Sequence, residues 1–589
     1  MERKQFIRWN GMAAMAAFSP QWFDFSKVSI SVTTVRDPSF LLWIRANDKQ
    51  VGIILQEPDS PKAAFRRKFG QDAANLASAY VTPESKYYKS ETLTEKLQQL
   101  ASLFVANQTA DGTVNFGNLE SPPDTAFLVE LVAAARFILG KSDHPRIQDI
   151  KHTLDTFLKK TGEALVVGGV HTPNHRWVIC SALSKLYALY GYPQYLRRIE
   201  EWLAEGIYMD ADGHYPERSA GIYAVVENNS LITMASFLTK PELLEFVRKN
   251  LHMTRYYLEA NGDVVTNDSR RQDQYMESKS HLYYMQYRLL AILDQQHEFA
   301  AIADQIAASK DFETLVMQKY YFQFLEHEIL QTAMPAKKQP EADYEKLFST
   351  TNLLRIRRGD TSMTLFGGVD WPIQIESGRS NSPDFFSYRK GAAVLKSVRI
   401  STAFFNMGYF YSDGLSKKED GYWLGHTMTS PYYQPLPAGK RNKSGDYTLA
   451  PSTDGRFWNK MQFNDRPVSN VKQENISVRL TEHQGAVELR IEVGGAPNVP
   501  ITVELCFREG GILEGVRDLG NDNYLIDQAE ASYKFGNDTI RFGPGVWQHE
   551  KIEGLEGERY STHFGTLRKK GMHVYLTGVA PMLHTLRIR

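Results

Sequence analysis

Residues 212–228, DGHYPERSAGIYAVVEN, decide the fold, because their outline recurs along the first half of the chain. A polar turn ending in glycine leads into an extended stretch and then into an apolar helix. Equivalent turns occur at Asp111-Gly112, Thr161-Gly162 and Asn261-Gly262, so the four glycines are 50, 51 and 49 residues apart. Such a period, with a helix after each turn, is typical of stacked helical hairpins. One hairpin cannot bury its apolar face alone, so we expect a ring or a solenoid.

Three apolar segments with helical spacing lie between these turns, at residues 125–139, 176–190 and 241–258. Gly140 and Gly191 follow the first two segments directly. A glycine just past the last apolar residue is a common end signal, so the sequence predicts three helices here.

The pattern changes after the Pro- and Lys-rich residues 335–341 to an alternation of period two. Strands are predicted at residues 363–366, 394–401, 476–480, 487–493, 501–505 and 574–576. Such strands without helices between them favour two packed antiparallel sheets of half-buried strands. The predicted fold class is α+β and multidomain. A signal-like segment (1–27) precedes an incomplete (α/α) toroid of helical hairpins (28–340), and an antiparallel β-sandwich (341–589) follows.

Composition excludes several classes of protein. The chain has 68 Lys and Arg against 68 Asp and Glu, so it lacks the basic surface of a general nucleic-acid coat. Two cysteines, Cys180 and Cys506, are too few for a disulfide framework. No apolar run is long enough to span a membrane.

The N-terminus, MERKQFIRWNGMAAMAAFSP over residues 1–20, has the layout of a secretory signal. A basic opening precedes a short apolar run of small residues. It is also similar to a twin-arginine signal that lacks the second arginine. A frayed helix is the alternative interpretation. We therefore expect a periplasmic or secreted protein, which is a monomer or a dimer.

Polar residues follow each glycine turn, and in a ring of hairpins these stretches meet at one mouth. The candidates are Asn174 and His175 in the second stretch, Tyr215, Glu217, Arg218 and Tyr223 in the third, and Arg270 and Arg271 in the fourth. Each has a plainer interpretation. Asn174 can cap a helix, His175 can be structural, the tyrosines can pack, and the arginine pair can belong to a solvated charge run with Asp268 and Asp273.

Taken together, these side chains suit β-elimination from a uronic acid. The reaction needs a neutralised sugar carboxylate, a base for the C5 proton and an acid for the leaving oxygen at C4. Asn, His and Arg can supply the first, His or Tyr the second, and Tyr the third. In a 4-O-substituted glucuronate, H5 and O4 lie on the same ring face, so one tyrosine can act as base and then as acid. No metal is required.

This layout, with Asn174-His175 at one inner helix and Glu217-Arg-Ser-Ala-Gly-Ile-Tyr223 one repeat later, resembles the toroid-type polysaccharide lyases. These include the heparinase, alginate, hyaluronate and chondroitin lyases. The resemblance implies that Asn174 neutralises the carboxylate, that His175 is its partner or the base, and that Tyr223 is the acid, with Tyr215 as a rival. The chain is most similar to the lyases that remove terminal L-rhamnose from D-glucuronate on arabinogalactan-type glycans.

The resemblance also implies that the sandwich lends residues to the cleft. The candidates are Arg379 and Asn381, with His426 as a possible second histidine. Relatives that hold zinc carry a His-rich strand where this chain has Arg379, Asn381 and Asp384. No cofactor is therefore predicted, and whether the chain binds a structural metal ion is left as an open question.

Two other functions stay open. An (α/α)-barrel glycoside hydrolase would need two carboxylates across a sugar bond, for which Glu120, Glu217 and Asp268 are candidates. A non-catalytic glycan-binding protein would bind without turnover. Among lyases, other uronic-acid polysaccharides such as alginate or glycosaminoglycans are alternatives, although the balanced charge favours capture of a single uronate at a chain end.

Overall fold

The computed structural model describes residues 35–57, 65–117, 119–368, 382–406, 408–451, 458–550, 552 and 568–589. The signal-like segment 1–27 lies outside these residues. Within them, no helix combines the length and apolar character needed to cross a membrane.

The chain divides into two compact units. The first comprises Met1–Ile207, Asn229–Glu245 and Met317–Ala333, and the second comprises Tyr208–Asn228, Phe246–Val316 and Met334–Arg589. The change from helices to the large sheets lies close to the expected boundary at residue 340, but the compact units do not follow that boundary. The second unit includes the third and fourth glycine turns together with both large sheets.

Twelve α-helices occur among the described residues. They are α1 (Phe40–Gln56), α2 (Lys68–Val81), α3 (Glu91–Ala106), α4 (Pro122–Leu139), α5 (Pro145–Val167), α6 (Pro173–Tyr190), α7 (Pro193–Ala204), α8 (Tyr223–Phe237), α9 (Leu244–Thr254), α10 (Tyr284–Leu293), α11 (His297–Ala307) and α12 (Gln318–Glu326).

Helices α4 and α6 confirm the first two predicted helices, and Gly191 ends α6 in the left-handed conformation at φ 70°. The third prediction is partly wrong. A 3-10 turn at Pro241–Leu243 precedes α9, which ends at Thr254. The chain leaves the helix there because Leu258 pairs with Val264 across the next glycine turn.

Three of the four predicted glycine turns are present. Gly112, Gly213 and Gly262 have φ values of 97°, 103° and 81°, which favour glycine. The turn predicted at Thr161-Gly162 is wrong, because Gly162 lies inside α5. A Cβ on Gly162 would lie 2.3 Å from the Tyr195 hydroxyl oxygen, so this glycine provides room for a neighbouring ring.

In the first unit, the helices form two layers of hairpins. Helices α2, α4 and α6 pack side by side in one layer, and α3 and α5 pack together in the other. Leu76, Val129 and Ile179, one from each helix of the first layer, are fully buried. Helix α12 packs against α1, α2 and α4. This arrangement confirms the predicted array of helical hairpins.

The second unit contains a ten-stranded sheet. Its strands are β3 (Asp343–Phe348), β4 (Leu353–Arg358), β5 (Thr361–Phe366), β6 (Phe386–Lys390), β7 (Ala393–Thr402), β8 (Gly408–Tyr409), β15 (Pro500–Phe507), β17 (Arg517–Gly520), β18 (Asn523–Leu525) and β21 (Met572–Val579). The order is β17-β18-β21-β15-β7-β6-β5-β4-β3, and β8 pairs with β7. All of these pairs are antiparallel except β18 with β21.

An eight-stranded sheet packs against it. Its order is β16 (Ile512–Glu514), β19 (Ala531–Phe535), β20 (Asp538–Gly543), β22 (Met582–Ile588), β14 (Ala486–Gly495), β13 (Val468–His483), β10 (Gly421–Tyr433) and β9 (Leu415–Lys418). Two short pairs, β1 (Asp263–Val264) with β2 (Ser278–Lys279) and β11 (Ala450–Pro451) with β12 (Trp458–Asn459), complete the strands found in the described part of the chain.

One hydrophobic core joins the two large sheets, with Ile356, Leu395 and Val503 from the first and Val478 and Ile491 from the second. All six predicted strands are present, and the β-sandwich is confirmed. The expectation that they are half buried is wrong for the ten-stranded sheet, where every residue of β5 is buried. The reason is that other residues of the second unit cover its outer face.

Buried polar contacts attach the residues on either side of the fourth glycine turn, Asn261-Gly262, to this outer face. The Arg355 guanidinium donates to Glu259 Oε1 at 2.7 Å, and Ser362 donates to Glu259 Oε2 at 2.7 Å. Farther along, Asn267 Nδ2 donates to the Asp384 carbonyl at 2.8 Å. Burial alone would raise the pKa of Glu259, but the charge of Arg355 reverses this and holds it below its ordinary value. These contacts fix the chain just before Arg270.

Candidate active site

The third post-glycine stretch ends at Tyr223, the first residue of α8. The Tyr223 amide donates to Ser219 Oγ at 3.0 Å, and the Ser219 hydroxyl donates to Asp273 Oδ2 at 2.9 Å. The Gly221 amide donates to the same carboxylate oxygen at 3.0 Å, and Ser269 donates to its other oxygen. One buried carboxylate therefore joins the third stretch to the fourth and sets the backbone at Tyr223.

Asp273 is completely buried, and burial raises its pKa despite the hydrogen bonds it accepts. Close packing supports the same junction. A Cβ on Gly221 would lie 2.3 Å from Ser278 Oγ and 2.8 Å from Asp273 Oδ2, so only glycine fits there without a shift.

The half-buried Tyr223 side chain receives two hydrogen bonds at its oxygen. Gln272 Nε2 donates at 2.7 Å and Arg271 Nη2 donates at 3.2 Å. The Arg271 guanidinium also lies 4.2 Å from the centre of the Tyr223 ring, and its other arm forms an ion pair with the buried Glu217. Because the Tyr223 oxygen accepts both of these bonds, its own O–H proton is not used in either of them and can be donated to another group. The same two donors would stabilise a phenolate.

Two further predicted arginines, Arg270 and Arg218, donate hydrogen bonds to backbone carbonyl groups. Arg270 Nη1 donates to the Pro216 carbonyl at 2.9 Å, and the Arg270 amide donates to the Glu217 carbonyl at 2.9 Å. Arg218 Nη2 donates to the Thr350 carbonyl at 3.1 Å. The Arg271 guanidinium, by contrast, contacts a candidate catalytic group, Tyr223.

Tyr215, the rival acid, is buried with 3% of its surface exposed, and its hydroxyl donates to Asn228 Oδ1 at 2.8 Å. Burial raises its pKa well above the ordinary value, and the charge of Glu227 adds to this. A tyrosine in this position is a poor proton donor to a substrate, so the geometry favours Tyr223.

Asn174 and His175 lie in the first turn of α6, in the first compact unit, whereas Tyr223 lies in the second. Asn174 is fully buried, and its Nδ2 donates to Thr172 Oγ1 at 3.2 Å. The His175 ring packs edge-on against His171 with ring centres 4.6 Å apart. The convergence of this pair with Tyr223 stays a prediction.

The sandwich candidates are not brought to Tyr223 by any contact in the described part of the chain. Arg379 and Asn381 lie outside the described residues. His426 lies on β10 of the eight-stranded sheet, where its Nδ1 contacts Asp413 Oδ2 at 2.8 Å. No group of three potential metal-binding His, Cys, Asp or Glu side chains occurs among the described residues.

Two of the three carboxylates considered for hydrolysis are engaged by other side chains. Asp268 is fully buried and accepts the Tyr257 hydroxyl at 2.6 Å, and Glu217 is paired with Arg271. Glu120 is exposed and belongs to the first unit. Within the second unit, the geometry supports a tyrosine-centred site better than a pair of free carboxylates.

Sequence reasoning missed Gln272 and Asp273. Gln272 and Asp273 directly follow Arg270 and Arg271, and such a run of charged and polar residues is typical of a solvated surface segment. The available signal was the Ser269-x-x-x-Asp273 spacing in a polar segment next to a predicted inner helix, which allows a carboxylate to hold its own loop.

Comparison with known proteins supports the fold. The sequence matches no protein-family model, and no curated protein matches it. Among solved structures, it is similar to the chondroitin AC lyase of Streptomyces coelicolor A3 in complex with chondroitin sulphate, at 13% identity over 95% of this chain and 81% of that one, with a TM-score of 0.57. It is also similar to heparinase III, at 12% identity over 96% and 87% of the two chains, with a TM-score of 0.57. The predicted helical toroid followed by an antiparallel β-sandwich is confirmed as the fold class.

Proposed function

We propose that this protein is a polysaccharide lyase that cleaves a 4-O-linked glucuronate bond by β-elimination. The observation that carries the proposal is the Tyr223 oxygen, which accepts hydrogen bonds from Gln272 and Arg271 at the start of α8. The likeness of the fold to a chondroitin AC lyase and to heparinase III supports the same reaction class.

In the proposed reaction, the Tyr223 phenolate takes the C5 proton of the uronate. The electron pair of the C5–H bond forms the C4–C5 double bond, the C4–O4 bond breaks, and Tyr223 returns the proton to the departing O4. Arg271 and Gln272 stabilise the phenolate before proton transfer. Asn174 and His175 are proposed to neutralise the substrate carboxylate, which makes the C5 proton more acidic.

The finer proposal concerns the substrate. We infer exo-acting removal of terminal L-rhamnose from D-glucuronate on arabinogalactan-type glycans, which releases free rhamnose and leaves a 4,5-unsaturated uronate. The balanced charge of the chain suits capture of one uronate better than binding of a long polyanion. The protein is proposed to act in the periplasm or outside the cell.

The test is to incubate the full chain with a rhamnose-capped arabinogalactan and to follow the ultraviolet absorbance of the unsaturated uronate together with free rhamnose. Tyr223→Phe is expected to abolish both signals. Tyr215→Phe, the matched control, should retain them because that hydroxyl donates to Asn228. Parallel assays use hyaluronan, chondroitin, heparan sulphate and alginate.

Three results would change the proposal. Absorbance on another uronan alone would replace the rhamnose assignment and keep the lyase. Saturated products that disappear in Glu217→Gln but not in Tyr223→Phe would indicate a hydrolase. No product on any of these glycans would refute the enzyme assignment.

A further inference from the structure

The outward face of the eight-stranded sheet carries a cavity of about 480 Å³. Its polar lining residues are Asp413, His426, Thr427, Asn475, Ser477 and Glu492. On β13 and β14 these side chains alternate with Ile476, Val478, Ile491 and Val493, which belong to the core between the sheets. The cavity therefore opens away from the core, and none of its lining residues is among those that contact Tyr223.

Two glycines, Gly425 and Gly494, leave the space above the strands of this sheet unfilled. A Cβ on Gly494 would have no atom within 4 Å, and a Cβ on Gly425 would approach only the Ile476 carbonyl, at 3.7 Å. Neither glycine has a positive φ. Their backbone conformation does not require glycine, so what the absent side chains provide is the space above the sheet.

Hydrogen bonds hold the walls in place. The Gly425 amide donates to Ser412 Oγ at 2.9 Å, and the Asp413 amide donates to the Gly425 carbonyl at 2.9 Å. Across the cavity, the Thr427 hydroxyl donates to Asn475 Oδ1 at 2.8 Å. The lining is thus preorganised, which lowers the entropic cost of binding.

The same bonds determine which polar groups face a ligand. A carboxylate only accepts, so His426 Nδ1 donates to Asp413 and the Asp413 carboxylate stays an acceptor. Asn475 accepts from Thr427 through its oxygen, so its amide N–H groups are left for a ligand among the described contacts. The cavity therefore offers donors and acceptors side by side, as the hydroxyl groups of a sugar require.

We propose that this cavity binds a neutral saccharide unit. Its volume lies within the range of roughly 300–1,000 Å³ found for small-molecule sites. The lining contains two carboxylates and no lysine or arginine, which disfavours a uronate or any other anion. A lone metal ion would leave most of the volume empty. The inference does not depend on the lyase assignment.

The experiment is calorimetric titration of the full chain with galactotriose, arabinotriose, mannotriose and cellotriose, with glucuronate as the anionic comparison. We expect at least one neutral trisaccharide to bind with a dissociation constant of about 1 mM or lower. Gly494→Leu, which places a side chain in the cavity, is expected to weaken binding at least about tenfold. Gly439→Leu, an equally unhindered glycine outside the cavity, should have no effect.

The proposal is overturned if no trisaccharide binds, if glucuronate binds more tightly than all of them, or if binding requires a metal that EDTA removes. It is also overturned if Gly494→Leu folds and binds normally. Thermal unfolding checks that the variant is folded. If it is not, Asn475→Ala decides, with weakened binding supporting the site and unchanged binding refuting it.

Discussion

Replacement of Gln272 by leucine tests whether its bond to Tyr223 serves the reaction. Gln272 Nε2 lies 2.7 Å from the Tyr223 oxygen, closer than Arg271 Nη2 at 3.2 Å. A hydrogen bond to a charged group contributes about 1.5–3 kcal/mol, against about 0.5–1.5 kcal/mol for a neutral one. The difference, about 1–1.5 kcal/mol, is lost only when the phenol becomes a phenolate.

That difference corresponds to a fall in kcat of about 5- to 15-fold for Gln272→Leu. KM should stay unchanged, because the lost bond is to the tyrosine. Gln272→Glu, which keeps the shape but replaces the donor by a carboxylate, should lower kcat further. The assay is initial-rate formation of the unsaturated uronate, and thermal unfolding confirms that each variant is folded.

Gln98→Leu is the matched control, since Gln98 is a partly exposed glutamine of α3 that donates to the Ser102 hydroxyl on its own helix and to the Thr153 hydroxyl on α5. The reasoning is refuted if Gln272→Leu keeps kcat within about twofold while Tyr223→Phe is inactive. A rise in KM with unchanged kcat would instead place Gln272 in contact with substrate.

Three further changes test the charged groups of the second unit. Glu217→Gln, which releases Arg271 from its ion pair, should lower kcat by about tenfold while the product stays a 4,5-unsaturated uronate, as followed by absorbance. Glu259→Gln should lower the free energy of unfolding by about 3–5 kcal/mol in denaturant titrations, because Arg355 then stays buried without its partner, and Glu259→Leu with Arg355→Met should restore most of it. The third concerns His573, where burial alone would lower the pKa but hydrogen bonds to Cys506 and Glu504 raise it to about 9. Its stabilising contribution is present below the unfolded pKa of about 6.5 and is lost as pH rises towards about 9. His573→Gln should flatten that decline in chemical denaturation measured across this pH range.

Each of these expectations has a contradicting result. Full activity of Glu217→Gln would mean that the ion pair does not position Arg271. A double variant at Glu259 and Arg355 no more stable than the single one would mean that the pair itself, rather than the isolated charge, carries the effect. An unchanged pH dependence in His573→Gln would assign the decline to other groups.

The turns of the helical repeat could be predicted from sequence where the glycine is needed for its backbone conformation. At Gly112, Gly213 and Gly262 the backbone needs a positive φ, and the turn predictions hold. At Gly162 the same residue type serves a close contact with Tyr195 inside a helix. A sequence shows that a glycine is present, but whether it provides a backbone angle or a missing side chain depends on neighbours that are distant in sequence.

In the candidate site too, residues that lie in one short stretch could be predicted, whereas residues that depend on distant partners were harder to identify. The pattern of Glu217 and Tyr223 could be identified because both lie in one short stretch. Gln272 could not, because its partner Tyr223 is 49 residues away. For Asp273 the only local signal was the spacing to Ser269, since its partner Ser219 is 54 residues away and a surface charge run has the same composition. The strand alternation predicted β14 well, since one of its faces is exposed, whereas β5 and β15 carry polar residues that are buried by other parts of the second unit.

Asp273 accepts bonds from Ser219, Gly221 and Ser269 and so orders two loops without a ligand. Loops held in this way are expected to show slow amide hydrogen exchange at Gly221, in contrast to ordinary surface turns. A substrate would then meet a proton-transfer group that is already in place. Turnover would be limited by bond breaking or by product departure, with no slow ordering step visible before the first catalytic cycle.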